Sequence, residues 1–178
     1  EIVALTCDAM SLAMFELGSI SERRMDQMLD PARSEMPAFL AKDSGLESGL
    51  MIVQYVAGAA LAELHGQATP RSAFSTTTSA GQEDHVSMGA TAAWNLHVGV
   101  RRLSEILACE ALIAAEALEH ATLRSSPHVC AMHDLVRTVA SALVGDRSTS
   151  AELMQIADEL RQPGWLARLE AEHGRLPR

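Results

Sequence analysis

Apolar residues recur along this chain at intervals of three and four, the period of a helix, and no stretch reads convincingly as a strand. Ile2, Leu5, Ala9, Leu12, Phe15, Ile20 and Met28 mark a first helical segment up to about Leu29. The pattern slips at Gly18-Ser19, where Ser19-Ile20-Ser21-Glu22 takes the form of a capping box, so this is either two helices or one with a weak point. Asp30-Pro31 ends it, because the residue before a proline is driven out of helical geometry. Residues 30–47 then form a loop whose Met36-Pro37-Ala38-Phe39-Leu40 packs down onto the helices. Ser44-Gly45-Leu46-Glu47 offers a second capping box. The segment 48–66 that follows is apolar nearly all round, which predicts a helix buried on every side.

Between residues 67 and 81 the pattern breaks into Thr69-Pro70 and then Ser72-Ala73-Phe74-Ser75-Thr76-Thr77-Thr78-Ser79. Hydroxyl side chains compete for backbone hydrogen bonds, so this is a loop. Met88, Ala92, Leu96, Val100, Leu103, Leu107, Ala111, Ala114 and Leu118 then step by fours and threes without a break. They predict a helix over 84–122, about 39 residues and a rod of roughly 58 Å. Too few other helices remain to cover such a rod, and contact with further copies of the chain is the natural supplier. Ser126-Pro127 caps a shorter helix to about Val144, and Thr149-Ser150-Ala151-Glu152 caps another to Arg161. Pro163-Gly164 breaks that helix, leaving a short amphipathic turn and a tail. The pattern describes an all-α chain: an elongated antiparallel helical bundle with one very long central helix. A core segment spans 1–122 and a C-terminal helical tail spans 123–178.

Composition sharpens this outline. With 178 residues, 48% hydrophobic, the chain is long enough for one domain with a real core. Aromatics are only 3%, so alanine, leucine and methionine build that core, which suits closely spaced helices. A net charge of -9 argues against nucleic acid, whose phosphates call for a clustered basic surface. The apolar run 49–64 is interrupted by Gln54 and Glu63 and is shorter than the ~20 residues of a bilayer crossing, so no membrane span is expected. Cys7, Cys109 and Cys130 are odd in number and lie among small apolar residues, which points to buried, reduced thiols and a cytoplasmic location. The chain opens on Glu1 already inside a helical pattern, without a cap, and is therefore expected to be a fragment of a longer or cleaved polypeptide.

Candidate chemistry concentrates in Ser79-Ala80-Gly81-Gln82-Glu83-Asp84-His85-Val86-Ser87-Met88-Gly89. Ser79 to Gln82 has capping-box spacing, and Glu83 with Asp84 would complement the dipole of the long helix. The excess over a plain cap is Gln82-Glu83-Asp84-His85 in succession. One or two of the four can face a cleft, where a carboxylate acts as a general base or orients an amine. His128, Cys130 and His133 have the right types for zinc, but their spacing does not match usual ligand pairs and no fourth ligand completes them, so no metal is expected. Ser34-Glu35-Met36-Pro37 shares only composition with the signature loop of the fumarase and aspartase superfamily.

The stretch from Ser79 to Met88 resembles the Ser-Ala-Asn-Gln-Glu-Asp-His-Val-Ser-Met motif of histidine ammonia-lyase and related aromatic amino acid lyases. Gly18-Ser19-Ile20-Ser21-Glu22-Arg23-Arg24, Met36-Pro37-Ala38-Phe39-Leu40 and Ser48-Gly49-Leu50-Met51-Ile52 before Gln54 follow the family's order. The resemblance implies the C-terminal third of an enzyme that eliminates ammonia from an aromatic amino acid. Its electrophile, a methylidene-imidazolone ring, forms from an Ala-Ser-Gly tripeptide that does not occur here and is expected in an upstream segment. By the same resemblance Glu83 is the catalytic residue that handles the substrate amine, a position where phenylalanine lyases carry glutamine, and Gln82 is a substrate-binding neighbour. The implied partners are the upstream half of the enzyme and further copies in a homotetramer, and the chain alone is expected to be inactive. Gly81 stands where histidine lyases carry asparagine, as in some tyrosine lyases and aminomutases, and Ala38 replaces a loop proline. The alternatives are a tyrosine lyase or aminomutase, and a non-catalytic helical assembly module derived from the family.

Overall fold

Asp30 stops the first helix where the sequence places the stop, and nothing interrupts it earlier. In the computed structural model, which describes residues 1–122 and 125–175, α1 runs unbroken over Ile2–Leu29. Gly18 is a point of close approach rather than a break: a Cβ there would meet Ile106, Leu64 and Leu61 side chains at 3.2–3.3 Å. Ser21, read from sequence as part of a cap, instead donates its hydroxyl to Glu110 at 2.6 Å. Arg24 binds the same carboxylate, with Nη2 at 2.9 Å. Asp30 then accepts the Ala32 N–H at 2.9 Å and opens the one-turn α2, Pro31–Ser34.

The remaining helices are α3 (Met51–Gln67), α4 (Gly89–Glu119), α5 (Pro127–Val139), α6 (Ser150–Arg161) and α7 (Trp165–His173). Among the described residues there is no strand, only two isolated bridges. The all-α architecture with one long central helix is thus as expected. α1, α3, α5 and α6 all pack against α4. Met25, Leu50, Leu64, Ile106, Leu112 and Ile113 are fully buried among them, and the same core takes in Val136, Leu153 and Ile156 from the C-terminal helices. Each buried Leu or Ile contributes about 1.5–3 kcal/mol relative to exposure.

Three boundaries and one burial pattern differ from expectation. The long helix begins at Gly89 rather than near residue 84 and has 31 residues, a rod of about 46 Å. Residues before it are tied into a loop that excludes helical geometry. α3 is not buried on every side: Val53, Ala57, Ala60 and Leu64 form one buried stripe, while Tyr55 is 70% exposed and Ile52 and Val56 face outward. α5 has the expected Ser126 cap, whose hydroxyl accepts the Val129 N–H at 3.4 Å. It ends at Val139, because Ala140 is extended and the chain turns back so that Glu116 accepts the Leu143 N–H at 3.2 Å. Thr149 precedes α6 without a side-chain cap bond. By length and composition α1 could cross a bilayer, but it lies along α4 and α3 with Ala4, Ser11, Ser21 and Met25 buried.

The capping box read at residues 44–47 is a tight turn, in which the Glu47 carboxylate accepts the Asp43 N–H at 3.1 Å. The approach to α3 is fastened instead from the segment between α5 and α6. Asp146 accepts the Ser48 N–H at 2.8 Å and the Gly49 N–H at 2.9 Å. Gly49 is required there: its φ is +55° and a Cβ would sit 2.4 Å from the Phe39 carbonyl oxygen.

α5 is fastened to α4 by charge. Arg137 Nη2 donates to buried Glu116 at 2.9 Å and its Nε to Glu119 at 2.9 Å. His133 lies between Glu119 (2.9 Å) and Asp134 (3.1 Å). The Glu119 carboxylate raises the affinity of His133 for its proton above the ordinary 6.5, and His133 in turn, with Arg137, holds Glu119 below its ordinary value. A raised histidine contributes stability in full below its unfolded value and loses it as pH rises through the folded one. The lowered Glu119 contributes above its unfolded value and loses its share as pH falls through the folded one. Amide exchange in α5, corrected for intrinsic rates, is therefore expected to be faster at about pH 9 than at about pH 6. Equal corrected rates would show that Arg137 alone carries the contact.

Candidate active site

Residues 68–88 cross from the end of α3 to the start of α4 with one short 3-10 turn, Ser79–Gly81. Three clamps fix this segment. At its beginning, Asp8 of α1 accepts the Ser72 N–H at 2.8 Å, and Asn95 of α4 accepts from the Arg71 guanidinium at 3.2 Å. The Asn95 amide also donates to the Gln67 carbonyl at 2.5 Å. Burial pushes the Asp8 carboxyl up, but hydrogen bonds from Ser72 and Arg71 outweigh it and leave the group below its ordinary value. In the middle, the Ser75 hydroxyl accepts the Val86 N–H at 2.9 Å and donates to the Val86 carbonyl at 3.2 Å.

The third clamp closes the tip. Thr78 N–H donates to the Glu83 carbonyl at 2.9 Å, and Glu83 N–H returns to the Thr78 carbonyl at 3.3 Å. Within that ring Ser79, Ala80 and Gly81 have φ of 54°, 53° and 90°. Left-handed geometry at a residue with a Cβ costs about 1–3 kcal/mol and persists only where the surroundings over-determine it. Position 81 is the one of the three that suits the region, and glycine and asparagine are the residues that tolerate it best. The Gly81 departure therefore preserves the backbone.

This geometry corrects the reading of the stretch as a helix cap. Ser79 does not cap α4, Asp84 makes no cap bond among the described residues, and Gln82 and Glu83 lie outside the first turn. Met88 precedes the helix, with the Ser87 hydroxyl accepting the Gly89 N–H at 3.3 Å. His85 faces the Glu1 carboxylate at 3.5 Å. Gln82 and Glu83 are adjacent and exposed, and neither side chain has a hydrogen-bond or ion-pair partner among the described residues. A carboxylate free of partners on a fixed backbone can accept an ammonium group, and the neighbouring carboxamide can both donate and accept.

The other candidates disperse. His128 Nε2 lies 2.8 Å from the Gly174 carbonyl, the Cys130 thiol faces the Ser125 carbonyl at 3.7 Å, and His133 serves the contact between α4 and α5. Asp8, Arg71 and Asn95 went unnoticed in the sequence. Their signal was available: Asp8 sits between Cys7 and Ala9, and Asn95 between Trp94 and Leu96, each polar in an apolar run.

Known proteins share both the sequence and the fold. Histidine ammonia-lyase of Deinococcus radiodurans is 45% identical over 158 residues, covering 89% of this chain and 30% of that protein. The crystal structure of histidine ammonia-lyase from Trypanosoma cruzi is 34% identical with a TM-score of 0.88, over 94% of this chain and 33% of that one. Tyrosine aminomutase from Streptomyces globisporus is 30% identical with a TM-score of 0.91, over 98% of this chain and 34% of that one. The chain thus spans about a third of the length of the relatives it matches. Residues 1–138 match the aromatic amino acid lyase family, and the chain belongs to that family.

Proposed function

We propose that this chain forms one wall of an ammonia-lyase active site for an aromatic amino acid, histidine foremost. Glu83 takes up the substrate amine and Gln82 orients it. The observation that carries this reading is a pair of polar side chains without partners among the described residues, presented by a backbone that three clamps hold in a costly conformation. Such strain collects at functional sites. Glu83 accepts a hydrogen bond from the ammonium group and can take its proton, which frees the nitrogen lone pair. The family's methylidene-imidazolone ring supplies the electrophile when present. Ala-Ser-Gly does not occur in this sequence, so the ring comes from another segment of the enzyme.

The site is completed, in this reading, by the upstream part of the enzyme and by further copies in a homotetramer. Support comes from large apolar side chains left exposed on three helices: Ile2, Leu5 and Leu12 on α1, Tyr55 on α3 and Trp94 on α4. Three free cysteines accord with a cytoplasmic location, Cys109 with its pKa pushed up to about 12 by burial and by Glu105.

The test is a chimera in which this chain replaces the matching third of the Deinococcus radiodurans histidine ammonia-lyase. An oligomer that releases ammonia from histidine is the expected result. A folded oligomer that turns over none of histidine, phenylalanine or tyrosine would overturn it in favour of a non-catalytic assembly module. A β-amino acid product would move the assignment to an aminomutase.

A further inference from the structure

We infer that Asp8 and Asn95 are positioning residues that set where Glu83 stands, an inference that rests on the proposed lyase function. Asp8 is 7% exposed and Asn95 8% exposed, in the interior of two helices whose neighbouring faces are apolar. Burying a carboxylate or a carboxamide is unfavourable unless its hydrogen bonds are made. Neither residue spends those bonds on joining α1 to α4. Asp8 gives its oxygens to Ser72 and Arg71, and Asn95 gives its oxygen to Arg71 and its amide to the Gln67 carbonyl. The interior of the bundle is thus organised to grip residues 67–72, the root of the loop.

The grip is set on a rigid base. Ala4, Cys7 and Ala92, with Leu96, form a separate small apolar cluster between α1 and α4 beside the two polar anchors. It fixes the distance between them. From Ser72 the chain reaches Ser75 in three residue steps, at most about 10 Å. Ser75 is bonded at both polar atoms of Val86, and residues 76–85 between these two close on the Thr78 to Glu83 ring. The position of Glu83 is therefore transmitted from Asp8 and Asn95 through a chain with little slack. Arg71 serves both anchors, so loss of either one slackens the same root.

Two measurements test this. The first is amide exchange on the 178-residue chain itself. Asp8→Ala and Asn95→Ala are each expected to speed exchange at Thr78, Glu83 and Val86 at least tenfold, while the amides of Ile106, Leu112 and Ile113 in α4 keep their rates. Asp8→Asn, which retains an oxygen for the Ser72 N–H, is expected to restore most of the protection. A rise spread evenly through α1 and α4, or one confined to Ser72, would overturn the inference.

The second is kinetic, in the chimera. Asp8→Ala is expected to lower kcat about 10²-fold, the cost of a misplacement on the order of 1 Å, with KM changed less than threefold. In a Glu83→Gln background the same substitution is expected to cost almost nothing further, because Asp8 acts through Glu83. An equal loss in both backgrounds would show Asp8 to be merely structural. An inactive chimera would bring down the lyase reading, while the exchange experiment would still decide whether the two residues hold the loop.

Discussion

Glu83→Gln, made in the chimera with the Deinococcus radiodurans enzyme, is expected to lower kcat by about 10²–10⁴-fold, the usual worth of a positioned acid or base. The melting temperature is expected to move by no more than about 1–2 °C. That separation follows from geometry. The Glu83 side chain is exposed and has no partner among the described residues, so its exchange for an isosteric amide falls among surface changes of about 0.5 kcal/mol. In a chain of this size that is about 1–2 °C. The bonds between Thr78 and Glu83 are both backbone and survive the substitution. Shape and polarity persist while basicity is lost. Parallel falls in activity and melting temperature would make Glu83 a structural residue, and unchanged kcat would remove it from the reaction.

Arg137→Ala is expected to have the opposite signature, a large loss of stability without any direct role at the loop. Glu116 is 4% exposed and receives Arg137 at 2.9 Å, with the Leu143 N–H as its other partner. Removing the guanidinium leaves a buried carboxylate without its counter-charge, which costs about 3–5 kcal/mol. The corresponding fall in melting temperature is about 6–20 °C in calorimetry. The paired replacement Arg137→Met with Glu116→Leu is expected to recover most of it, since apolar substitutes of similar volume often match a buried ion pair. A fall worth less than about 1 kcal/mol would class the pair with solvent-screened surface bridges.

Helix identity was legible in this sequence because it rests on period and punctuation. Asp30-Pro31, Ser126-Pro127 and Pro163-Gly164 restrict φ directly, and the structure turns at each of them. The stripe from Met88 to Leu118 announced a long helix correctly but not its buried face. The positions buried on α4 include Asn95, Gly99, Ser104, Ala108 and Glu116, small or polar residues that let α1 and α3 approach or that pair across the contact. Hydropathy passes over such residues. Val100, a member of the stripe, is exposed, as is Trp94 outside it.

The loop was misread for a different reason. Ser79 to Gln82 has the spacing of a capping box, and nothing local distinguishes a cap from a turn. Ser79 and Ala80 disfavour the left-handed region they occupy, so local preference pointed away from the outcome. The Thr78–Glu83 backbone ring encloses it, and Asp8, Ser75 and Asn95 hold the rest of the loop through partners between 11 and 64 residues away. Gln82 and Glu83, the proposed site pair, stand out by motif, whereas Asp8 and Asn95 are visible only as polar interruptions.

The contact of Asp146 with the Ser48 and Gly49 amides joins residues 98 and 97 positions apart. During synthesis α3 is made, and has time to pack on α1, before its own fastening has left the ribosome. At about 5–20 residues per second the delay is on the order of 5–20 s. For that interval the two amides stay uncapped and the apolar stripe of α3 is held by neighbours alone. Setting the start of α3 thus waits on residue 146, and a ribosome that stalls short of Asp146 leaves α3 without its fastening.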